Sequence, residues 1–317
     1  MRGLLIVNLG SPDSPAPADV RDFLAKFLSD PRVVDFPRAI WLPILHGIVL
    51  RVRPKKSGAI YRSIWTPQGS PLVVYTKAQH RLLEEALPDW SVKYAMTYTR
   101  PSIQSALEAF EREGADDITV LPLYPHAAPS SSGAVVDQVS DFYSGRPSQP
   151  RLRIVEAWPT QTDLVRWHAS QIARQIEEAE ARPQLVLLSY HGVPMREVHR
   201  PRGYERECRA TTSAIEEELR RLGVDTPVMT VFQSKFGPGK WLEPATIDTM
   251  AQLPGRGVKS VLLATPGFIA DCIETIDELD VLNQDAFKAA GGEHYARVAP
   301  INDDPIFVDI VRDLLEP

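Results

Sequence analysis

Residues Leu185 to Pro194 read LVLLSYHGVP, and the rest of the chain is organised around this stretch. Its first five residues form a short apolar run, which is typical of a parallel strand covered on both faces. His191 follows, and Gly192 and Pro194 turn the chain at the carboxyl edge, where open α/β sheets bind ligands. A histidine there can exchange protons or bind a metal near neutral pH, although a histidine packed at a strand end would show the same pattern.

The composition is that of an ordered globular protein. A length of 317 residues suggests two domains, and 44% hydrophobic residues are enough for a real core. The formal net charge of −6 argues against a nucleic-acid surface. Two cysteines exclude a disulfide scaffold and a four-cysteine metal site, so we expect a reducing, cytoplasmic location. The apolar part of the amino terminus is too short for a signal peptide, and no apolar run is long enough to span a membrane.

Short apolar strands alternate with helical patterns on both sides of Leu185. This alternation predicts an α/β protein of two doubly wound, Rossmann-like parallel-sheet halves with a cleft between them. We assign the first half to residues 1–159 and the second to 160–302, where Thr160 and Asp163 resemble a helix capping box. The amphipathic helix within residues 303–317 is expected to complete the first half.

Residues 36–54, FPRAIWLPILHGIVLRVRP, break the alternation. Apolar residues dominate without a clear amphipathic pattern, and Pro43 and Gly47 are expected to interrupt any long helix. Arg51 and Arg53 follow the apolar part directly. We interpret the segment as an exposed lip for a membrane surface or a large apolar ligand, against the alternative of a buried irregular segment. Its apolar members are Ile40, Trp41, Leu42, Ile44 and Leu45.

Acidic residues crowd the stretch 265–280, TPGFIADCIETIDELD. On an α-helix, Asp271, Glu274 and Glu278 would share one face. They are either a solvated face near a helix amino terminus or a row that passes metal ions or protons into the cleft. Cys272 is interpreted as a small apolar residue, because its neighbours are acids and none is a base that would lower its pKa.

A third stretch, residues 232–244, reads FQSKFGPGKWLEP. Its glycine-rich loop lacks the order of either common nucleotide-binding motif, so no nucleotide is expected. Trp241 could stack on a flat ligand or could anchor the turn.

Together with LLIVNLGSP at residues 4–12, these stretches resemble the ferrochelatases, which insert ferrous iron into a porphyrin in the last step of haem synthesis. The resemblance covers nearly the whole chain, and the four motifs occur in the family's order. It implies a class II chelatase-like fold and a lyase that converts protoporphyrin IX to protohaem with release of two protons. Coproporphyrin III is the alternative substrate.

The resemblance also implies roles for individual residues. His191 corresponds to the family's active-site histidine, and Glu274 to its acidic partner across the cleft. His191, Glu274 and Glu278 would contact the metal, and His191 suits both proton transfer and ferrous ion. The residues expected to bind the porphyrin are Leu9 under the metal, Arg53 and Tyr61 near the propionates or the inner face, Tyr124, and Trp241.

Two departures from the family pattern stand out. Cys272 occupies a position that is histidine in many relatives, and Leu282 stands where others continue with a carboxylate. The chain ends without the cysteine-bearing tail of animal relatives, so we expect no iron–sulfur cluster and no permanently bound cofactor. Ferrous iron and the porphyrin are the expected partners. The protein is expected to be a monomer that contacts the inner face of the cytoplasmic membrane and binds no nucleic acid.

Two other functional classes remain open. A non-catalytic tetrapyrrole carrier could use the same cleft without needing His191 and Glu274 together. A hydrolase would need an activated nucleophile, and Ser189 is expected on the strand face opposite His191.

Overall fold

The computed structural model describes residues 1–195, 203–235 and 239–316. It divides into two compact units, Met1–Glu156 and Ala157–Pro317. The boundary lies three residues before the one expected from the sequence. The predicted glycine–proline loop at 237–239 lies mostly outside the described residues.

The first unit is a four-stranded parallel sheet flanked by helices. Its strands are β1 (Arg2–Asn8), β2 (Trp90–Met96), β3 (Asp117–Pro122) and β4 (Arg151–Ile154), in the order β2-β1-β3-β4. Its α-helices are α1 (Pro17–Ser29), α2 (Arg38–Ile44), α3 (Leu50–Ile64), α4 (Pro71–Ala86), α5 (Ile103–Glu113) and α6 (Ala134–Tyr143). Two π-helical turns, Leu45–Val49 and Pro129–Gly133, precede α3 and α6.

Local sequence signals account for these elements. Residues 4–7 of β1 are fully buried, as a central strand covered on both faces requires. The α5 helix starts at Ser102, whose hydroxyl accepts the Ser105 N–H at 3.1 Å, and ends at Gly114 in the left-handed conformation (φ 71°). Ile103, Leu107 and Phe110 on its inner face are buried in the core under β1 and β3.

The second unit repeats the plan. Its strands are β5 (Leu185–His191), β6 (Val228–Gln233), β7 (Ser260–Ala264) and β8 (His294–Arg297), all parallel, in the order β6-β5-β7-β8. Its α-helices are α7 (Thr162–Glu178), α8 (Tyr204–Arg221), α9 (Thr246–Gln252), α10 (Ile273–Ile276), α11 (Gln284–Ala289) and α12 (Ile306–Leu315). A π-helical segment, Glu278–Asn283, joins α10 to α11.

The shared strand order confirms the prediction of two similar doubly wound halves. In each unit the chain adds one strand on one side of the first strand and then crosses to the other side. The crossing point lies between β1 and β3 in the first unit and between β5 and β7 in the second. The carboxyl ends of such strand pairs are where open α/β sheets bind ligands. In the second unit, His191 ends β5 at this position.

Three expectations need correction. Gln161, not Thr160, caps α7, because its side-chain oxygen accepts the Leu164 N–H at 2.7 Å. The α12 helix packs against α7 in the second unit, whereas the sequence placed it on the first half. A hydrogen bond of 3.1 Å from Gln161 Nε2 to Asp313 and one of 3.0 Å from Trp167 Nε1 to Asp304 hold it there.

The third correction concerns residues 38–64, which Pro43 and Gly47 were expected to break. Helix α2, the π-helical turn and α3 follow one another without a gap. The turn Leu45–Val49 holds Gly47, so the helical path continues through a locally wider turn. Among the described residues, no helix is both long enough and apolar enough to cross a bilayer.

Candidate active site

His191 is the first exposed residue after the buried stretch of β5. Its main-chain oxygen accepts a hydrogen bond from the Tyr204 hydroxyl at 2.8 Å, which fixes the strand end. Its Nδ1 lies 2.8 Å from the Gly192 carbonyl oxygen. Because a carbonyl oxygen only accepts, Nδ1 carries the proton in this contact, and neutral His191 then has its lone pair on Nε2. His191 can therefore accept a proton or donate to a metal through Nε2.

Gly192 is required by a close approach of two chain segments. Its N–H donates to the Gln233 carbonyl oxygen at 2.7 Å, and a Cβ on Gly192 would lie only 2.7 Å from that same oxygen. The Trp241 ring lies on the same side, with its Cε3 3.5 Å from that Cβ position. The Leu242 N–H, which donates to the Val193 oxygen at 3.0 Å, holds this pairing. Trp241 is thus half-buried beside the residue that follows His191, and its contact with a substrate stays a prediction.

Glu278 is held by two hydrogen bonds from a single residue. The Ser234 N–H donates to Glu278 Oε1 and the Ser234 hydroxyl donates to Oε2, each at 2.6 Å. Ser234 has a left-handed backbone (φ 63°), which is uncommon for a residue other than glycine. This conformation directs both donors of Ser234 at the same carboxylate. The carboxylate is therefore oriented before any ligand arrives.

The pKa of Glu278 depends on its burial and on the charged groups around it. Burial raises the pKa of the Glu278 carboxyl above its ordinary value, and the nearby Glu274 carboxylate raises it further. The hydrogen bonds from Ser234 and the charge of His191 act in the opposite direction on this pKa. Glu278 thus lies within electrostatic range of both His191 and Glu274, and the roles of the three residues stay predictions.

The predicted row of acids on one helix face is wrong. Asp271 precedes α10, which has only four residues, and the chain then enters the π-helical segment. Asp271 and Asp280 both pair with Arg297, at 3.1 and 2.8 Å. Glu278 remains within electrostatic range of His191 and of Glu274. The acidic residues thus fall into two groups with different partners, because a regular α-helix does not form over this stretch.

Glu274 is held through its main chain, and the neighbouring Cys272 is buried. The Glu274 carbonyl oxygen accepts a hydrogen bond from Gln233 Nε2 at 2.7 Å. Cys272 is buried, and burial together with the Glu274 carboxylate raises the pKa of its thiol. This agrees with the interpretation of Cys272 as a small apolar residue and not a nucleophile. Leu282, at the second departure from the family pattern, is 53% exposed.

No ready-made metal centre accompanies these residues. Within residues 1–195, 203–235 and 239–316, no three His, Cys, Asp or Glu side chains are grouped so that they could hold a metal ion. His191, Glu274 and Glu278 therefore do not form a preformed three-ligand site.

Ser189 does not serve as a nucleophile, although the sequence-based reason was wrong. Two residues apart on β5, Ser189 and His191 share one side of the strand. Ser189 is fully buried, and its hydroxyl donates to Gln233 Oε1 at 2.8 Å and lies 3.0 Å from the Thr246 hydroxyl. The proton of Ser189 is thus used in a buried network and not shared with a base, which removes the hydrolase alternative.

The remaining predicted porphyrin-binding residues lie in the first unit. Leu9 follows β1 directly and is half-buried, and Tyr124 is half-buried after β3. Both follow the strands whose ends flank the crossing point of that sheet. Arg53 is half-buried in α3. Tyr61, also in α3, is buried and packs edge-on against the rings of Phe23 and Trp65. The roles of these residues stay predictions.

The predicted lip is only partly exposed. Ile40 and Ile44 are exposed, Trp41 and Leu42 are half-buried, and Leu45 is fully buried. Leu45 therefore belongs to the core of the first unit and not to the lip, because the π-helical turn points it inward. Trp41 is held by a hydrogen bond of 2.7 Å from its Nε1 to the Leu28 oxygen.

Sequence reasoning missed Ser234, Gln233 and Arg297. Ser234 and Gln233 stand where β6 ends, next to the strand that ends in His191. A polar pair at the end of a buried strand was therefore an available signal. Arg297 could not be found in this way, because its partners lie in a different element.

Comparisons with known proteins point to one family. A family model described as Ferrochelatase matches residues 1–317. The ferrochelatase of Alcanivorax borkumensis is 42% identical over 320 residues, which cover 99% of this chain and 93% of that protein. The coproporphyrin III ferrochelatase of Lactococcus lactis subsp. lactis is 39% identical, over 99% of this chain and 98% of that protein.

Two solved structures support the fold alone. CbiX, the terminal enzyme for biosynthesis of siroheme in denitrifying bacteria, matches with a TM-score of 0.55 and 15% identity over 99% of this chain and 100% of its own. SirB from Bacillus subtilis matches with a TM-score of 0.54 and 13% identity, over 99% of this chain and 96% of its own. From the family match and the identities over nearly the full length, the chain belongs to the ferrochelatase family, enzymes that insert iron into a porphyrin.

Proposed function

We propose that the protein inserts ferrous iron into protoporphyrin IX, with release of two protons, and that His191, Glu274 and Glu278 carry out this reaction. The observation that supports these roles is that the Glu278 carboxylate interacts electrostatically with both Glu274 and His191, the residue that ends β5 at the carboxyl edge of the second sheet. Coproporphyrin III is the alternative substrate. The enzyme acts as a monomer in the cytoplasm.

The reaction requires a base and a route for a cation. A free porphyrin carries two pyrrole N–H protons, and both must leave when a divalent ion takes their place. His191 accepts these protons through Nε2, since Nδ1 is occupied by the Gly192 oxygen at 2.8 Å. Imidazole is also a suitable transient ligand for ferrous ion. The exposed position of His191 leaves Nε2 accessible to both.

The two glutamates are held by different partners, and this suggests different tasks. Glu278 is anchored by Ser234 at 2.6 Å on both oxygens, so it offers a carboxylate of fixed direction. Glu274 is anchored through its main-chain oxygen by Gln233 Nε2, at 2.7 Å, and its carboxylate accepts a hydrogen bond from the Cys272 thiol. We assign proton exchange at the porphyrin to Glu274 and attraction of the incoming iron to Glu278.

Substrate choice between the two porphyrins depends on their carboxylates. Protoporphyrin IX has two propionates, whereas coproporphyrin III has four. The relatives from Alcanivorax borkumensis and Bordetella pertussis, 42% and 40% identical, are named ferrochelatase without a substrate, and the Lactococcus lactis relative is named for coproporphyrin III. We take protoporphyrin IX as the substrate because the relatives with the highest of these identities lack the coproporphyrin designation.

The test is anaerobic incubation with ferrous ion and each porphyrin in turn, followed by the change in the Soret and Q bands. Wild-type protein should metallate protoporphyrin IX faster than coproporphyrin III. His191→Ala should bind porphyrin, measured by fluorescence quenching, but should lose metallation by about 10²-fold or more. His294→Ala is the matched control, since His294 is an exposed histidine on β8 of the same unit. Wild-type turnover in His191→Ala would refute the role of His191, and porphyrin binding without turnover in the wild type would favour the carrier.

Peripheral membrane contact is the second part of the proposal. Five apolar residues, each exposed by 37% to 70%, follow one another at intervals of four and form what we call the apolar stripe: Phe36, Ile40, Ile44, Ile48 and Val52. On an α-helix, side chains four residues apart are rotated by about 40° relative to one another around the helix axis. The wider π-helical turn Leu45–Val49 offsets this rotation, so the five side chains stay on one side. Exposed Arg51, Lys55 and Lys56 adjoin the stripe and suit an anionic bilayer.

A further inference from the structure

We propose that Arg297 is a positioning residue for metal insertion, because its guanidinium ties together the two ends of the segment that carries Glu274 and Glu278. We call residues Asp271–Asp280 the acidic segment. This inference rests on the proposed function of Glu274 and Glu278, and it concerns how these carboxylates are held in place.

The contacts of Arg297 span the acidic segment. Its Nε and Nη2 each lie 2.8 Å from an oxygen of Asp280, a bidentate pair at one end of the segment. Its Nη1 lies 3.1 Å from Asp271 Oδ1, at the other end. The Arg297 side chain is only 8% exposed. The Nη1 contact is an ion pair outside hydrogen-bond geometry, so the guanidinium donates two hydrogen bonds to Asp280 and holds Asp271 by charge.

The sheet determines where Arg297 stands. Arg297 is the last residue of β8 and is paired in register with Leu263 of β7. The acidic segment begins shortly after β7 ends. Arg297 therefore connects the rigid sheet to the loop that leaves it. The sheet edge in this way fixes the position of the acidic segment.

Further hydrogen bonds secure each end of the segment. Asp271 accepts from the Thr275 hydroxyl at 2.7 Å and from Asn302 Nδ2 at 2.9 Å. The Asp271 N–H donates in turn to Asn302 Oδ1 at 2.8 Å. At the other end, the Tyr295 hydroxyl donates to the Leu279 oxygen at 3.0 Å. Both ends are thus fixed from outside the segment.

The middle of the segment needs this support. The α10 helix has four residues, and a helix this short does not hold itself together. The π-helical segment that follows is an uncommon geometry that often occurs at functional sites. Without the link through Arg297, the direction of Glu274 and Glu278 would depend on these weak elements and on the contacts with Gln233 and Ser234. Residues that orient metal-contacting groups typically change metal affinity or activity by about 10- to 100-fold when they are replaced.

The experiment compares Arg297→Lys with a triple variant. Lysine keeps the positive charge but cannot bridge both aspartates. In the triple variant, Arg297→Met is combined with Asp271→Asn and Asp280→Asn, so that no unpaired buried charge remains and folding is preserved. Arg32→Lys in the first unit is the matched control, because Arg32 forms a bidentate pair with Asp137 at 2.6 Å. For each protein we would measure melting temperature, porphyrin affinity, kcat, and KM for ferrous ion.

We expect Arg297→Lys and the triple variant to raise KM for ferrous ion about tenfold, with porphyrin affinity changed less than about twofold. Arg32→Lys should lower the melting temperature without changing this KM. If the triple variant, stable at the assay temperature, keeps the wild-type kcat and KM, Arg297 is merely structural and the inference is overturned. If wild-type protein metallates no porphyrin, the proposed function fails first and the inference falls with it.

Discussion

Ser234 donates its main-chain N–H and its hydroxyl to the two carboxylate oxygens of Glu278, each at 2.6 Å. The left-handed backbone of Ser234 (φ 63°) makes this double contact possible. Such a backbone costs a non-glycine residue about 1–2 kcal/mol, and residues held in this way often occur at functional sites. The contact therefore links a local backbone strain to the orientation of one proposed metal-contacting carboxylate.

The first prediction separates the effect of the Ser234 hydroxyl on Glu278 from the effect of the strained Ser234 backbone. Ser234→Gly and Ser234→Ala both remove the hydroxyl, but glycine adopts a positive φ freely and alanine does not. Both variants should raise KM for ferrous ion by a similar factor, about tenfold, because Glu278 loses the same hydrogen bond. Ser234→Ala should be less stable than Ser234→Gly by about 1 kcal/mol, because alanine keeps the strain of the positive φ. Steady-state kinetics and urea unfolding measure the two effects.

Different kinetics in the two Ser234 variants would mean that backbone strain, and not the hydroxyl, controls Glu278. Wild-type kinetics in both would remove Ser234 from the site. Ser130→Ala, in the first unit, serves as a control for the loss of a serine hydroxyl outside the second unit.

The second prediction distinguishes Glu274 from Glu278. Glu274→Gln keeps the shape of the side chain but removes its charge, so catalysis should fall by about 10² or more if Glu274 exchanges protons at the porphyrin. Glu278→Gln should act mainly on KM for ferrous ion. It should also lower stability, since its amide nitrogen would face one of the two Ser234 donors.

Turnover against metal concentration, porphyrin affinity and melting temperature measure these effects. Asp285→Asn on α11 is the control, because Asp285 is an exposed acid on the same stretch of chain. Unchanged turnover in Glu274→Gln would rule out its role, and a loss explained by unfolding alone would make Glu274 a structural residue.

Local patterns were sufficient to predict both sheets. The apolar runs at β1, β5 and β7 are buried strands, and Ser102 and Gly114 bound α5 as their residue types indicate. These features depend on neighbours within a few residues. The parallel, doubly wound arrangement then followed from the repeated alternation of strands and helices.

The partners of the acids could not be predicted in the same way. Asp271 and Glu274 are similar in type and close in sequence, yet Asp271 pairs with Arg297 and Glu274 lies near Glu278. The division depends on the pairing of β7 with β8, which brings Arg297 next to Asp271. Leu45 was misplaced for a related reason, because a π-helical turn changes which side chains point inward and no simple period shows it.

The third prediction concerns the apolar stripe. Ile44→Ser combined with Ile48→Ser should reduce flotation with liposomes that contain anionic lipid, because the two side chains are exposed at neighbouring positions of the stripe. Leu222→Ser is the control, since Leu222 is 49% exposed but lies in the second unit, outside the stripe. Wild-type protein that stays wholly soluble with and without porphyrin would contradict membrane contact.

The fourth prediction concerns His168 on α7, which is fully buried. Neither of its ring nitrogens has a hydrogen-bond partner within the described part of the chain. Burial lowers the pKa of His168 to about 3, so its imidazole stays neutral in the folded protein. A buried polar group without a partner costs about 1–3 kcal/mol. His168→Leu should therefore stabilise the protein by about 1 kcal/mol or more near pH 7.5.

The pH dependence gives the sharper test. The unfolded protein protonates His168 near its ordinary pKa of about 6.5, whereas the folded protein does so only near pH 3. Protonation of His168 in the unfolded chain therefore costs the folded protein no stability well above pH 6.5. The cost grows as the pH falls from 6.5 towards 3. The loss is about 1.4 kcal/mol per pH unit, or about 2 kcal/mol between pH 7.5 and 5. Urea unfolding of wild type and His168→Leu at both pH values measures it, with His294→Gln as an exposed control. An advantage of His168→Leu that is the same at pH 5 and 7.5 would show that His168 protonates equally in both states.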